Sequence, residues 1–531
     1  MGIFLGFHLS EEDMNVIRAH NYKVNTNLGA RAYSKLCRAF PALHTLPSLK
    51  RLRTHIKLLS GVEPVRYDCC IKSCCCFTGP YAGLTKCPYC GQARRTASGK
   101  PRQTFSYIPL IPRLVALYRN PAVAKTLQYR HNYKSKPTRI GDVFDSEHYR
   151  HLCETDVMIG GNPIGHKFFS QPTDIALSLS TDGFGPFKRR KHTCWPIILF
   201  LYNFPPEIRT LLGQIFSLGL IPGPKAPKDY DSYLLPLVEE LLKLARGVPA
   251  FDAHSKRMFM LFAYLIYCFG DMPALAKLLR LKGHNGICPC RACRILGIRN
   301  AAAGEKTHYT PLHRPGGKSY DPLDLPLRTH DEFLRQAIQV ALAPTNTEET
   351  DRSKFFGING VPLLLTLSSL CIPASFPHDF MHLMENILPT LIEHWTGSFK
   401  GIDAGSEHYQ IPKTVWEAIG EACAASGSTI SAAFGCRVPN VATERHYFIA
   451  ESWLLFATYL GPILLRQRFT EAAYYRHFIA LVQLINLCLK REISDSEVDT
   501  IERGFAEWVL EYERYVSLHS AAIENSNPIL I

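Results

Sequence analysis

Two carboxylates stand just past the ends of apolar runs, Asp182 in "DIALSLSTDGF" and Asp271 in "YCFGDMPALAK". Such runs read as buried strands, and an acid a residue or two beyond one sits at a sheet edge. Acids from neighbouring strands would converge there, repel each other, and hold divalent cations, magnesium or manganese. Two such ions about 4 Å apart serve in-line attack on a phosphodiester, one activating the nucleophile and the other stabilising the leaving oxygen. A third acid would complete the cage, and "FPHDFMHLMENILPTLIEHW" (376–395) offers it. Glu385 falls inside a helix, three residues after His382 and on the same face. His378 joins that face only if the helix begins early, and Asp379 suits an N-cap. The competing reading of any one of these acids is a cap or a solvated side chain.

Cysteines carry a second chemistry. Of eighteen, seven fall within residues 69–90 and three within 288–293. The opening "MGIFLGFHLSEED" lacks the basic stretch of a secretory signal, so the chain reads as intracellular. Clustered thiols there favour metal over disulfides. Cys70-x3-Cys74-x12-Cys87-x2-Cys90 sets two close pairs around a turn-rich spacer, the pattern of a four-cysteine zinc ribbon. Cys69, Cys75 and Cys76 leave the first pair open by one residue, and a buried cysteine-rich loop without metal is the alternative. In "CPCRACRILGIRN…THYTPLH" (288–313), Cys290 and Cys293 make a half-site. His308 and His313 can complete it across a fourteen-residue spacer, with Cys288 competing.

Charge points to a polyanionic partner. Lys and Arg number 60 against 46 Asp and Glu, a net charge of +14 in a chain that is otherwise ordinary at 46% apolar and 20% charged. Lys188, Arg189, Arg190 and Lys191 follow Asp182 within ten residues and could hold a phosphate backbone. A solvated turn or a nuclear import signal is the alternative. The run "MFMLFAYLIYCFG" (258–270) is too short to span a bilayer, and "FIAESWLLFATYLGPILL" (448–465) carries Glu451 and Gly461. Both read as core, and no membrane partner is expected.

The elements that must position these residues can be read coarsely. Ser10 with Asp13 predicts a capping box ahead of a first helix, and residues 46–61 a basic amphipathic helix closed by glycine. "DIALSLSTDGF" and "CWPIILFLYNF" read as adjacent strands, residues 230–248 as a helix, and "RMFMLFAYLIYCFGD" as one long strand or a strand and a bend. "PALAKLLRLKG" reads as a helix with Pro273 in its first turn, and 361–520 as mostly helical.

Three stretches, "STDGFGPFKRRKHTCWPIILFLYNFPPEIR", "GDMPALAKLLRLKGHNGICPCRACRILGIR" and "FPHDFMHLMENILPTLIEHWTGSFKG", resemble the transposases of CACTA (En/Spm-type) DNA transposons in their fungal form. The upstream cysteine segment and "AAFGCRVPNV" resemble segments flanking that family's core, and the likeness runs from about residue 10 to 470. The resemblance implies a mixed α/β protein with a ribonuclease H-like catalytic core, a zinc-binding insertion within it, a zinc ribbon before it, and helical regions on both flanks. The parts fall at 1–61 (helical), 62–100 (ribbon), 101–172 (linking), 173–283 (first part of the core), 284–330 (insertion), 331–400 (rest of the core) and 401–531 (helical). It implies DDE chemistry by Asp182, Asp271 and Glu385 with Mg2+ or Mn2+. Structural zinc, in two sites, is implied at Cys70, Cys74, Cys87 and Cys90 and at Cys290, Cys293, His308 and His313. The implied partner is double-stranded DNA at transposon terminal inverted repeats, bound in the nucleus by a homo-oligomer, with the basic run beside Asp182 on the backbone. An inactive transposase-derived DNA binder and a zinc-stabilised protein scaffold are the alternatives.

Overall fold

The structure is a computed structural model that describes residues 9–40, 43, 45–186, 192–283, 286–299, 308–313, 319–399 and 407–520. Ser10 and Asp13 close the expected capping box on α1 (Glu11–Asn25). It is followed by α2 (Ala30–Ala39) and by α3 (Leu49–Ser60), which Gly61 ends in the left-handed region at φ 64°. Val16, Ala19, Tyr33 and Leu52 bury a small core between them.

The centre of the molecule is one mixed sheet of six strands. In chain order these are β1 (Val65–Asp68), β2 (Thr104–Tyr107), β3 (Ile175–Ser180), β4 (Trp195–Leu201), β5 (Phe216–Ile221) and β6 (Ala263–Phe269). Their spatial order is β1-β2-β5-β4-β3-β6, antiparallel throughout except for the parallel pair β3–β6. The segment expected as a ribbon thus gives its first strand, β1, to the central sheet.

Period-two alternation divides the strands between two cores. Leu177, Leu179, Ile197, Leu199 and Leu265 face α4 (Asp231–Arg246), which buries Leu234, Leu237, Leu241 and Leu244 against them. Ala176, Tyr202, Tyr264 and Ile266 face the other way, onto Phe144, Tyr149 and Phe168. A bulge between Leu265 and Tyr267 puts Ile266 and Tyr267 on the same side. The apolar run 257–270 is split at Phe262: Arg257–Leu261 pairs with Val248–Asp252 in a hairpin apart from the sheet, and only β6 joins it.

Beyond β6 lie α5 (Met272–Leu278) and, later, α6 (Phe380–Trp395), α7 (Ala472–Cys488) and α8 (Asp495–Ser520). Met384, Ile387, Leu388, Leu391, Ile392 and Trp395 recur at helical spacing along α6 and enter a separate C-terminal core with Trp416, Phe478 and Trp508. No helix among the described residues is long and apolar enough to cross a membrane.

Candidate functional site

Register brings Asp182 and Asp271 to the same corner of the sheet. β3 and β6 run parallel, and their last residues, Ser180 and Phe269, are register partners. Each acid lies two residues past that rung, so equal overhangs carry both to one end. Buried Thr181 fixes the exit from β3, its hydroxyl donating to the Pro196 carbonyl at 2.8 Å. At Gly183 a Cβ would lie 2.6 Å from the Trp195 ring, so the close approach of ring to backbone requires glycine there.

Asp182 is exposed and Asp271 half-buried. Asp271 caps α5, its Oδ1 accepting the Ala274 N–H at 2.6 Å. Burial pushes the Asp271 carboxyl up, and the charges of Asp182 and Asp379 add to that, against the Ala274 N–H and His382.

The start of α6 supplies the third wall. Asp379 is its N-cap, with Oδ1 accepting from Met381 N at 3.0 Å and from His382 N at 3.3 Å. Its Oδ2 lies 3.0 Å from His382 Nδ1, an ion-pair contact without hydrogen-bond alignment. Burial opposes a charge on His382, but Asp379, Asp271 and Glu385 outweigh it and raise the imidazole pKa. Asp379 and Glu385 sit six residues apart, about 120° around the helix. The charge of Asp379 acts on both Asp271 and His382, and that of Glu385 acts on His382.

The four expected ribbon cysteines come together. The sulfurs of Cys70, Cys74, Cys87 and Cys90 all lie within 4.8 Å of one another, with Cys70 and Cys90 at 3.4 Å. Cys69 and Cys76 are free thiols that pair through their backbones and enter the sheet core, and Cys75, 3.9 Å from Cys87, stands outside the set. Burial raises the Cys70 and Cys74 thiols, and neighbouring thiols add to it. Cys90 is held near 7 although burial works to raise it, because the Gln92 N–H and the other thiols stabilise its thiolate. A divalent cation removes the cost of crowding four buried thiolates, so the set fits a structural metal such as zinc. The centre is fastened to the start of α4 and the loop before it: Lys228 N and Asp229 N donate to the Cys74 carbonyl at 3.0 and 2.9 Å, and Cys76 N donates to Ser232 Oγ at 2.9 Å.

The second cysteine pair has half of a metal site's features. The N–H groups of Ala292 and Cys293 point at Cys290 Sγ from 3.3 and 3.4 Å. The Cys293 thiol holds Cys290 down at about 6 against the effect of burial. Arg291, between the two, donates to the carbonyls of Phe376 (2.9 Å) and Pro377 (2.7 Å), docking the pair on the segment that enters His378 and α6. His313 Nδ1 instead meets Glu513 Oε2 of α8 at 2.8 Å, and Glu513 also accepts the Leu312 and His313 N–H groups. His308 pairs its backbone with Arg299, and its side chain lies outside the described residues, as do Lys188, Arg189, Arg190 and Lys191. Among the described residues only the Cys70 set gathers three or more ligand atoms within 4.8 Å, so neither the acids nor the second cysteine segment does so. Arg291 and Glu513 are not legible from spacing, because neither the Arg in "CRAC" nor a glutamate on a terminal helix belongs to a ligand pattern.

These features define a mixed α/β protein with a cysteine centre built onto its sheet and a carboxylate pair at one strand end. Residues 149–321 match the family model described as Transposase family tnp2, which supports a transposase and with it DNA binding. The match takes in Asp182, Asp271 and the second cysteine segment, and stops short of the Cys70 set and Glu385. No curated protein matches the chain.

Proposed function

We propose that the protein is a nuclear DDE-type transposase of the CACTA (En/Spm) kind, in its fungal form, cutting and joining DNA at transposon terminal inverted repeats. The observation that carries it is the pairing of Ser180 with Phe269, which overhangs Asp182 and Asp271 equally from parallel neighbouring strands inside the matched segment. The strand order supports a ribonuclease H-like core: three antiparallel strands, then one parallel to the first. The donors fit magnesium or manganese in kind, since they are hard oxygens, and burial together with the charge of Asp182 raises Asp271. When bound, such ions would polarise the phosphodiester and activate the attacking oxygen. Asp182 and Asp271 would hold them, with the Asp271 carboxylate fixed on the first turn of α5 by the Ala274 N–H.

Glu385 is the proposed third acid, and Asp379 its rival, favoured by the reach of its charge to Asp271. His382, between the two, offsets part of the acids' repulsion when the site holds no cation. Lys188, Arg189, Arg190 and Lys191 are proposed to hold the backbone, and the protein to act as a homo-oligomer on DNA. Cys290 and Cys293 are proposed to bind a second zinc with His308 and His313. The test is strand cutting of a labelled duplex carrying a transposon end, with Mg2+ or Mn2+. Glu385→Gln is expected to abolish cutting and leave DNA binding and zinc content unchanged. Full activity in Glu385→Gln together with loss in Asp379→Asn would transfer the third role to Asp379.

A further inference from the structure

Next to the acid corner lies a second feature that the cutting chemistry does not use. It is an open cleft of about 410 Å³ between the cysteine centre and α5. Its walls carry Lys228, Lys277, Arg280 and Lys282, with Tyr89 opposite. Tyr89 belongs to the "CPYC" knuckle, between Cys87 and Cys90, so the metal centre builds one wall. The other wall begins at Asp271: Lys277 is six residues along from it, about 9 Å of helix. Asp271 is close enough for its charge to act on the Lys277 ammonium. Lys277 also lies 5.4 Å over the ring of Trp195, the same ring that abuts Gly183 beside Asp182. Lys277 therefore links the cleft to the acid pair.

The acids in the cleft are occupied with other groups. Asp229 accepts from Tyr89 Oη at 3.0 Å and from Ser232 N at 3.0 Å. Asp231 accepts from Leu363 N at 3.2 Å and meets Arg280 only at 3.8 Å. Lys228, Arg280 and Lys282 are exposed. Four cations against two carboxylates with partners of their own leave an excess of positive charge in the cleft.

We infer that this cleft holds the sugar-phosphate backbone of the DNA strand leaving the acid corner, with Lys228, Lys277, Arg280 and Lys282 contacting its phosphates. The inference rests on the reading of the chain as a DNA-cutting protein. Backbone contacts of this kind position a duplex without reading its sequence.

The experiment measures binding of the full chain to a fluorescein-labelled duplex by anisotropy, across a series of salt concentrations, for wild type and Lys228→Ala/Lys282→Ala. Both side chains are exposed, so the fold should be unchanged by zinc content and melting midpoint. Loss of two phosphate contacts is expected to reduce the salt slope by about 1.8 and to weaken binding roughly 60-fold at 0.1 M salt, for every duplex sequence alike. Should the alanine pair lower the melting midpoint, Lys228→Gln/Lys282→Gln carries the same test. Unchanged slope and affinity in a folded variant, beside a wild type that binds, would overturn the cleft and leave the transposase reading standing. A wild type that binds no duplex at low salt would overturn both.

Discussion

Asp231 stores a pH dependence that can be worked out from its surroundings. It opens α4, its side chain is 16% exposed, and one of its oxygens, Oδ1, has no hydrogen-bond partner. Burial lifts its carboxyl from 3.8 to about 7, more than Arg280 and the Leu363 N–H can pull it back. The folded chain therefore holds this proton more tightly than the unfolded one, so stability falls as pH rises from about 4 through about 7. At 1.36 kcal/mol per unit, the loss between pH 5 and pH 8 comes to about 2–3 kcal/mol. Asp231→Asn removes the titration, and its carbonyl can still accept the Leu363 N–H. The assay is urea unfolding of wild type and variant at pH 5 and pH 8, taking the difference of differences so that other groups cancel. The variant is expected to gain about 2–3 kcal/mol relative to wild type between the two pH values. Equal pH dependence in both proteins would refute the reasoning and mean that Asp231 is solvated or paired.

Purified protein should carry about two zinc ions, and Cys87→Ser should lose about one and destabilise the β1–β2 side of the sheet, as elemental analysis and thermal unfolding would show. Cys290→Ser should lose the other, with the Cys70 centre intact. Gly183→Ala sets a Cβ 2.6 Å from the Trp195 ring. It should cost about 1–3 kcal/mol and displace Asp182, lowering strand cutting more than DNA binding.

What was legible in the sequence followed from local signals. The capping box at Ser10 and Asp13, the glycine stop at Gly61, the N-cap at Asp379 and the strands β3 and β4 each depend on residues a few positions apart. The Cys70 set was legible because zinc-ligand spacing is itself local. Partners distant in sequence were not. The run 257–270 is uniformly apolar, and its division at Phe262 depends on Val248–Asp252 claiming the first half and β3 the second. β1 and β2 are four residues each, too short to show a period, and β5 passes under Phe105 at Gly219 without a distinctive pattern of its own. The choice between Glu385 and Asp379 turns on how α6 is rotated, which its contacts in the C-terminal core decide and its sequence spacing does not.

The central claim is that Asp182 and Asp271 work as a pair on DNA. Its most direct test is nicking of a supercoiled plasmid that carries a transposon end, with added Mn2+, by wild type and by Asp182→Asn. Asp182 is exposed and packs little, so its amide variant should keep fold, zinc content and DNA affinity. The prediction is nicking by wild type and none above background by Asp182→Asn. Nicking by Asp182→Asn at the wild-type rate, or none by a DNA-bound wild type with either Mn2+ or Mg2+, would contradict it.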